Sequence, residues 1–348
     1  MKNFIDPWDF TTDELMELVD FILLLKKADK LGACPKLLED ASLGMIFAAP
    51  STRTRVSFEV AMTKLGGHAL YLRPGELHLG SRETIKDTAL TLSRMCDCIM
   101  ARIHSPEDME ELSKWSSVPV INGMTDYNHP TQALCDLVTI VENMPEGKTL
   151  SDITLTFVGD TTLFECVLNT MNQILPRFGG NVVFASPEGY SLYDDASPYR
   201  EKLISRAEEA CKIGGGTFKV LNDPIEAVKN ADFIYTGPWT YHGNEDEKEA
   251  RDKVFMPKFQ VNADLVAHAP DHAQFMHYGP ALRGQEMSEE IMDHERSLLV
   301  DEAENRLHTE KGLLAWYIYP NLKRASTEVK AAMQADAELF VLENQREA

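Results

Sequence analysis

The chain has 348 residues, 44% of them apolar and 26% charged, so it can bury two ordinary cores, since domains usually span about 100 to 200 residues. It has 34 basic and 55 acidic residues, and the resulting net charge of -21 argues against nucleic acid or anionic membranes as partners. The chain has no long apolar run and its first residues lack the pattern of a signal peptide, so we expect a soluble cytoplasmic protein.

The first half of the chain alternates between strand-like and helix-like segments. Thr11-Thr12-Asp13-Glu14 has the spacing of a capping box and predicts a helix that runs to about Lys27. Strands are predicted at 43–47, 69–72, 98–103 and 118–121, and helices at 53–65, from about 81, at 106–115 and from 130. This alternation indicates a parallel sheet with helical crossovers, at whose carboxyl edge ligands bind.

A polar, turn-forming stretch at 146–152 predicts a boundary between two domains. Beyond it, strands are predicted at 153–158, 181–185, 218–221, 233–236, 274–278 and 297–300, and helices at 164–178, 198–213, 301–319 and 327–344. We therefore expect an α/β protein with two domains, 1–147 and 148–319, each with a central parallel sheet flanked by helices. Residues 320–348 are predicted to form a helical tail.

The pentapeptide Ser51-Thr52-Arg53-Thr54-Arg55 lies between the first strand and the helix after it. Ser51 or Thr52 can cap that helix through a side-chain oxygen, and the first-turn amides together with two guanidiniums favour an anion, above all phosphate. The alternative is a helix start whose arginines are only solvated, because short motifs also match by chance.

Other motifs indicate no further ligand. Gly159-Asp160 follows a strand but lacks the G-x-G-x-x-G fingerprint, and the six cysteines form no C-x-x-C pair, so neither a cofactor nor a metal is expected. Gly214-Gly215-Gly216 is interpreted as a helix C-cap and turn rather than a phosphate loop.

Two further segments follow the pentapeptide, Met100-Ala101-Arg102 and the run Asp-Tyr-Asn-His-Pro-Thr-Gln at 126–132. In this order and spacing the chain resembles the aspartate and ornithine carbamoyltransferases, from about residue 43 to about residue 314, including the segment 301–309. Within that family it is most similar to the putrescine branch. The resemblance implies an enzyme that transfers the carbamoyl group of carbamoyl phosphate to an amine.

The resemblance also implies a role for each residue of the donor site. Ser51, Thr52, Arg53, Thr54 and Arg55 would hold the phosphate. Arg102 would bridge the phosphate and the carbonyl oxygen, His129 would donate to that oxygen, and Gln132 would meet the amide. A lone histidine in a loop is more often structural, but Gln132 and the upstream pentapeptide favour the donor role for His129.

Arg306 and His78 complete this implied site. Arg306 would reach the ligand from the second domain as the domains close, and the alternative is an ion pair with Glu302 or Glu310 in the same helix. His78 stands where the family commonly has a glutamine that enters the neighbouring subunit's site, so a homotrimer with shared sites is expected. The helical tail is expected to pack on an adjacent subunit.

The acceptor side departs from the ornithine pattern. His277-Tyr278-Gly279-Pro280 replaces His-Cys-Leu-Pro and lacks the thiol, and Tyr278 either orients an amine or only fills space. Gly237-Pro238-Trp239 replaces Asp-x-Trp and lacks the aspartate that would pair with an α-ammonium. Thr161, Thr162, Leu163 and Phe164 replace expected asparagines, and Ser81 replaces the lysine of the aspartate enzymes.

These replacements disfavour ornithine and aspartate, because an unpaired charge in a closed site is costly. The residues predicted to meet the acceptor are Trp239, His277, Tyr278, Gly279 and Pro280. Glu245, Asp246 and Glu247 either meet the far ammonium of a diamine or form a solvated helix start. The sequence thus predicts transfer to a putrescine-like diamine, with two alternatives: an ornithine carbamoyltransferase, or a carbamoyl phosphate-binding protein with little transferase activity.

Overall fold

The structure is a computed structural model that describes residues 3–32, 34–75, 77, 83–162, 166–240, 245–322 and 327–345. It divides into two compact units, Met1–Val138 with Glu304–Ala348, and Thr139–Ala303. Each unit contains one parallel sheet flanked by helices, so the predicted α/β class is confirmed. The domain limits predicted from the sequence stay predictions.

The first unit opens on a helix and continues as alternating strands and helices. These elements are α1 (Thr12–Lys30), β1 (Ser42–Phe47), α2 (Thr52–Lys64), β2 (His68–Leu72), α3 (Ile85–Leu92), β3 (Cys98–Arg102), α4 (Pro106–Trp115), β4 (Val120–Met124) and α5 (Pro130–Glu142). The four strands form a parallel sheet in the order β2-β1-β3-β4. The predicted capping box of α1 is confirmed, since Thr11 Oγ1 accepts the Glu14 N–H at 3.2 Å and Glu14 Oε2 accepts the Thr11 N–H at 2.9 Å.

The second unit repeats the alternation around five strands. Its elements are β5 (Thr154–Val158), α6 (Leu168–Ile174), β6 (Asn181–Ala185), α7 (Arg200–Gly214), β7 (Thr217–Leu221), α8 (Pro224–Val228), β8 (Phe233–Thr236), α9 (Lys248–Phe255), α10 (Ala263–Val266), β9 (Gln274–His277) and α11 (Glu289–Met292). The parallel order is β7-β6-β5-β8-β9, and the apolar core packs on it. Gly215 caps α7 with a positive φ of 80°, which confirms the predicted turn.

Two long helices follow, α12 (Leu299–Leu322) and α13 (Thr327–Asn344). The strand predicted at 297–300 is wrong: Ser297 makes only an isolated bridge to Phe275, and α12 begins at Leu299. Helix α12 also continues two residues past Pro320, although the sequence predicted its end before that proline. Only two residues follow Pro320 in this helix, so the N–H donor that the proline lacks is lost in the last turn.

The helix predicted at 164–178 is shorter in the structure, with α6 over Leu168–Ile174 and a 3-10 turn over Leu175–Phe178. Pro176 lies at the start of that turn and cannot supply the N–H that would continue the helix. Residues 163–165 lie outside the described part of the chain.

Helices α12 and α13 both lie against α1. A Cβ added at Gly312 would come within 2.2 Å of Ile22 Cγ1, so α1 and α12 approach closely only because residue 312 is glycine. Met333, Ala337 and Val341 of α13 recur at four-residue spacing and are buried where α13 packs on α1. The tail therefore has a packing partner within its own chain, and its predicted contact with another subunit stays a prediction.

Candidate active site

The pentapeptide forms the start of α2, just after the carboxyl end of β1. Phe47 is in register with Arg102, and the Ala48 N–H donates to the Arg102 carbonyl at 2.9 Å, which brings Arg102 beside this loop. Ser51 is the N-cap of α2, but its side chain makes no capping bond and instead donates to Thr54 Oγ1 at 3.1 Å. The side-chain cap predicted from the sequence is therefore wrong for Ser51, because the nearby threonine hydroxyl competes for it.

The two arginines of the pentapeptide differ in their surroundings. Both are exposed. The Arg55 Nε donates to Glu59 Oε1 at 3.3 Å, and its guanidinium carbon lies 3.9 Å from the centre of the Tyr71 ring. These contacts hold Arg55 along α2 and β2, so it would have to give up its partners to reach an anion at the helix start. Arg53 lies in the first turn of α2, where the backbone amides favour an anion.

His129 precedes Pro130 at the start of α5 and is buried. The backbone N–H of Gln132 donates to its Nδ1 at 3.4 Å, which assigns the ring proton to Nε2. Burial, with the charges of Arg306 and Arg102 adding to it, lowers the pKa of His129 well below its ordinary value. The ring is therefore a neutral donor near pH 7, which suits a hydrogen bond to a carbonyl oxygen.

Arg306 and Gln132 are brought together although 174 residues separate them. Arg306 Nη1 donates to Gln132 Oε1 at 2.7 Å, and Gln132 Nε2 donates to Asp136 Oδ1 at 2.8 Å. Arg306 Nη2 also donates to Glu310 Oε1 at 2.7 Å, so the intrahelical pair considered as the alternative is present as well. The four buried side chains form one continuous chain of bonds within the first unit.

Sequence reasoning named Glu310 as a possible ion-pair partner of Arg306 but missed Asp136 as a member of this chain of bonds. The signal was available, since Gln132 and Asp136, like Arg306 and Glu310, stand four residues apart on one helix face. Burial raises the pKa of Glu310 to about 7, against the opposing effect of the Arg306 charge. His78, the residue predicted to enter a neighbouring site, lies outside the described part of the chain.

In the second unit, the predicted acceptor residues follow two neighbouring strands. Thr236 of β8 is in register with His277 of β9, so 237–239 and 278–280 leave the same edge of the sheet. The His277 Nδ1 accepts the Gly279 N–H at 2.8 Å, while its Nε2 lies 2.9 Å from Glu286 Oε1. The proton therefore resides on Nε2 and is donated to a carboxylate that is itself fully buried.

Glu286 was also missed from the sequence, because nothing in its local pattern separates it from a solvated glutamate. Its Oε1 additionally accepts the Leu282 N–H at 2.6 Å, so one carboxylate fixes both ends of the turn from His277 to Leu282. Tyr278, Gly279 and Pro280 lie within this turn. The histidine is thus a positioning residue for the turn, and a direct substrate contact by His277 stays a prediction.

Trp239 is fully buried and stacks on Phe255, with ring centres 4.9 Å apart and planes 20° apart. Its indole N–H has no hydrogen-bond partner among the described residues, and its main contact is with the apolar core of the second unit. Packing explains its burial, and a substrate contact by Trp239 stays a prediction.

One of the carboxylates considered for a diamine is already engaged. Glu247 Oε2 accepts a bond from Arg251 Nε at 2.8 Å, and Arg251 Nη1 donates to the buried Asp160 at 2.6 Å. Glu247 therefore completes a structural ion pair near the start of α9. Asp246 keeps its place as a candidate, and the side chain of Glu245 lies outside the described part of the chain.

In the described residues, no helix has the length and apolar character needed to cross a membrane. The same part of the chain holds no group of three or more histidine, cysteine or acidic side chains arranged to bind a metal ion.

Comparison with known proteins gives the same family for both halves of the chain. Residues 2–142 match the family described as "Aspartate/ornithine carbamoyltransferase, carbamoyl-P binding domain", and residues 151–317 match "Aspartate/ornithine carbamoyltransferase, Asp/Orn binding domain". Putrescine carbamoyltransferase of Mycoplasma capricolum is 43% identical over 98% of this chain and 93% of its own length.

Ornithine carbamoyltransferases are similar to the chain to a comparable degree. That of Pyrococcus abyssi is 47% identical over 88% of this chain and 92% of its own length. The solved structure of the ornithine carbamoyltransferase from Pyrococcus furiosus superposes with a TM-score of 0.83 at 44% identity, covering 91% of this chain and 97% of that one.

Proposed function

Because the chain belongs to the aspartate/ornithine carbamoyltransferase family and is a carbamoyltransferase, we propose that it transfers the carbamoyl group of carbamoyl phosphate to one amine of a putrescine-like diamine. The hydrogen bond from Arg306 to Gln132 is the observation that supports binding of carbamoyl phosphate, because it joins two residues that separate motifs implicated independently. The products would be an N-carbamoyl amine and phosphate.

In the proposed reaction, a neutral amine attacks the carbonyl carbon of carbamoyl phosphate and forms a tetrahedral oxyanion. The pentapeptide binds the phosphate, and Arg102 bridges it to the carbonyl oxygen. The Nε2 proton of the neutral His129 ring donates to the same oxygen as its negative charge develops. The C–O bond to phosphate then breaks, phosphate leaves with that electron pair, and the amine loses its extra proton to solvent or phosphate.

Gln132 would meet the amide of the donor. Its own amide N–H bonds to Asp136 and its oxygen accepts from Arg306, so the side chain is held on both sides before any ligand arrives. Arg306 would turn part of its guanidinium from Gln132 or Glu310 to the ligand. A preorganised side chain loses less entropy on binding, which favours tight binding of the donor.

The acceptor assignment rests on a missing carboxylate. Residue 237 is a glycine where the ornithine pattern has an aspartate, and Tyr278 stands where that pattern has a thiol. An α-ammonium would therefore lack its anionic partner, whereas a simple diamine would lose nothing. The similarity to putrescine carbamoyltransferases over nearly the whole chain supports the same acceptor.

Ornithine is the second candidate acceptor, because the ornithine carbamoyltransferase of Pyrococcus abyssi is 47% identical to this chain over 88% of the chain's length. Kinetics with putrescine, its shorter and longer homologues and ornithine separate the two candidates. We expect kcat/KM for putrescine to exceed that for ornithine by at least ~10-fold, since losing one charged partner in a desolvated site typically costs about 2 kcal/mol or more. A preference for ornithine would overturn the acceptor assignment, and no transfer to any amine would leave only binding of carbamoyl phosphate.

We also propose a cytoplasmic homotrimer with shared active sites, as the family resemblance implies. His78 would enter the site of a neighbouring subunit, and its imidazole would donate to the phosphate there.

A further inference from the structure

The space in front of Gly237 is filled by the side chain of Tyr278. Both residues come one position beyond the paired ends of β8 and β9, so they leave the sheet side by side. A Cβ built at Gly237 would lie 2.2 Å from the Tyr278 hydroxyl oxygen, 2.4 Å from its Cε1 and 2.5 Å from its Cζ. Non-bonded carbon atoms pack at about 3.5 to 4.0 Å, so no side chain at 237 can coexist with Tyr278 in this position.

Small movements of the tyrosine do not remove this conflict. A Cβ at position 237 would clash with ring atoms of Tyr278 as well as with its terminal hydroxyl. The Tyr278 ring also packs edge-on against Tyr235, with centres 6.0 Å apart, and at a tilt of 45° against His277, with centres 5.5 Å apart. The turn that carries Tyr278 is fixed by His277 and Glu286. The ring would have to leave its packed position to admit a side chain at 237.

The neighbours of Tyr278 are anchored in turn. The Tyr235 hydroxyl donates to Glu302 Oε1 at 3.0 Å, and Glu302 Oε2 accepts the backbone N–H of His277 at 3.0 Å. Tyr235, Glu302 and His277 are all buried, so these hydrogen bonds hold the surface on which the Tyr278 ring packs in place.

We propose that Gly237 and Tyr278 are a coupled specificity pair, in which the tyrosine ring excludes a carboxylate from position 237 and thereby selects acceptors without an α-amino acid head. Glycine at 237 and tyrosine at 278, the two departures from the ornithine pattern, then depend on each other, because the ring of one occupies the space of a side chain at the other. This inference rests on the proposed function and adds the residues that set its acceptor class. A neutral hydroxyl replaces a negative charge at this point, so an α-ammonium finds no partner of opposite charge.

A thermal-unfolding cycle tests the pair without any assay of activity. Gly237→Ala adds only the Cβ and should lower the Tm by about 3 °C or more, because overpacking strains a surface that is held in place. In the Tyr278→Cys background the same substitution should have little effect. Tyr278→Phe is the matched control: its ring retains the conflicting carbon atoms, so Gly237→Ala should still destabilise. Equal effects of Gly237→Ala in all three backgrounds would overturn the coupling.

A kinetic arm tests the selectivity. Gly237→Asp/Tyr278→Cys, compared with Tyr278→Cys alone, should raise the ratio of kcat/KM for ornithine to that for putrescine by at least ~10-fold. An unchanged ratio in a folded double variant would overturn the role in specificity. Failure of the wild-type enzyme to carbamoylate any amine would instead refute the proposed function, and the thermal cycle would still decide whether the two residues are coupled.

Discussion

Glu310 should make the stability of the protein fall as the pH rises from about 4.5 to about 7. Burial raises its pKa from an ordinary value of 4.5 to about 7 in the folded state. Between these two values the folded chain binds more protons than the unfolded chain, so the free energy of unfolding decreases with pH. At about 1.4 kcal/mol per pKa unit, the loss across this window is about 3 kcal/mol.

Glu310→Gln removes this titration while it keeps an oxygen that can accept from Arg306. Urea unfolding of both proteins from pH 5 to pH 8 measures the difference, which should shift in favour of the variant by about 3 kcal/mol across that range. Glu304→Gln is the control of opposite sign: Glu304 lies on the same helix, but its lowered pKa makes its contribution disappear as the pH falls. Parallel pH profiles for wild type and Glu310→Gln would refute the assignment of a buried, titrating carboxyl group.

Three further predictions concern binding, catalysis and assembly. Arg53→Ala and Arg55→Ala should each weaken carbamoyl phosphate binding by at least ~10-fold, because each removes a guanidinium from the proposed phosphate site; unchanged affinity of both variants by calorimetry would argue against that site. His129→Asn should lower kcat by about 10²- to 10³-fold, and the wild-type profile of kcat against pH should show no step from His129 between pH 6 and 8, since its lowered pKa keeps it neutral there. Light scattering should give three chains per particle, and an unchanged mass after deletion of 327–348 would exclude the tail from assembly.

The alternation of strands and helices was predictable because each element carries its own signal of periodicity and caps. The parallel strands were placed within a few residues, and the capping box at Thr11 was confirmed. Strand 297–300 failed because a short apolar run does not distinguish a strand from the start of a buried helix, and the acidic first turn of α12 was the better signal.

The contacts between side chains were much harder to predict than the elements. The motifs pointed to Gln132 and Arg306 separately, and the bond between them comes from the packing of two helices, for which the spacing along the chain gives no signal. Ser51 or Thr52 was expected to cap α2, yet the Ser51 hydroxyl bonds to Thr54, because a nearby side chain competes with the backbone amides for it. Glu286 gives no signal in the sequence because its role depends on a histidine in a neighbouring strand.

The two units use charged side chains differently. In the first unit, fixed guanidinium charges surround a neutral His129, so binding of a dianionic donor does not depend on the protonation of a histidine. In the second unit, the position that would carry a negative charge is closed by the phenol ring of Tyr278. In the proposed function, donor recognition therefore depends on permanent positive charge, whereas acceptor selection depends on the absence of a negative charge that the packing excludes. A single substitution at Gly237 cannot restore that charge, because the ring must first be removed, and a change of acceptor class in this chain requires at least two linked substitutions.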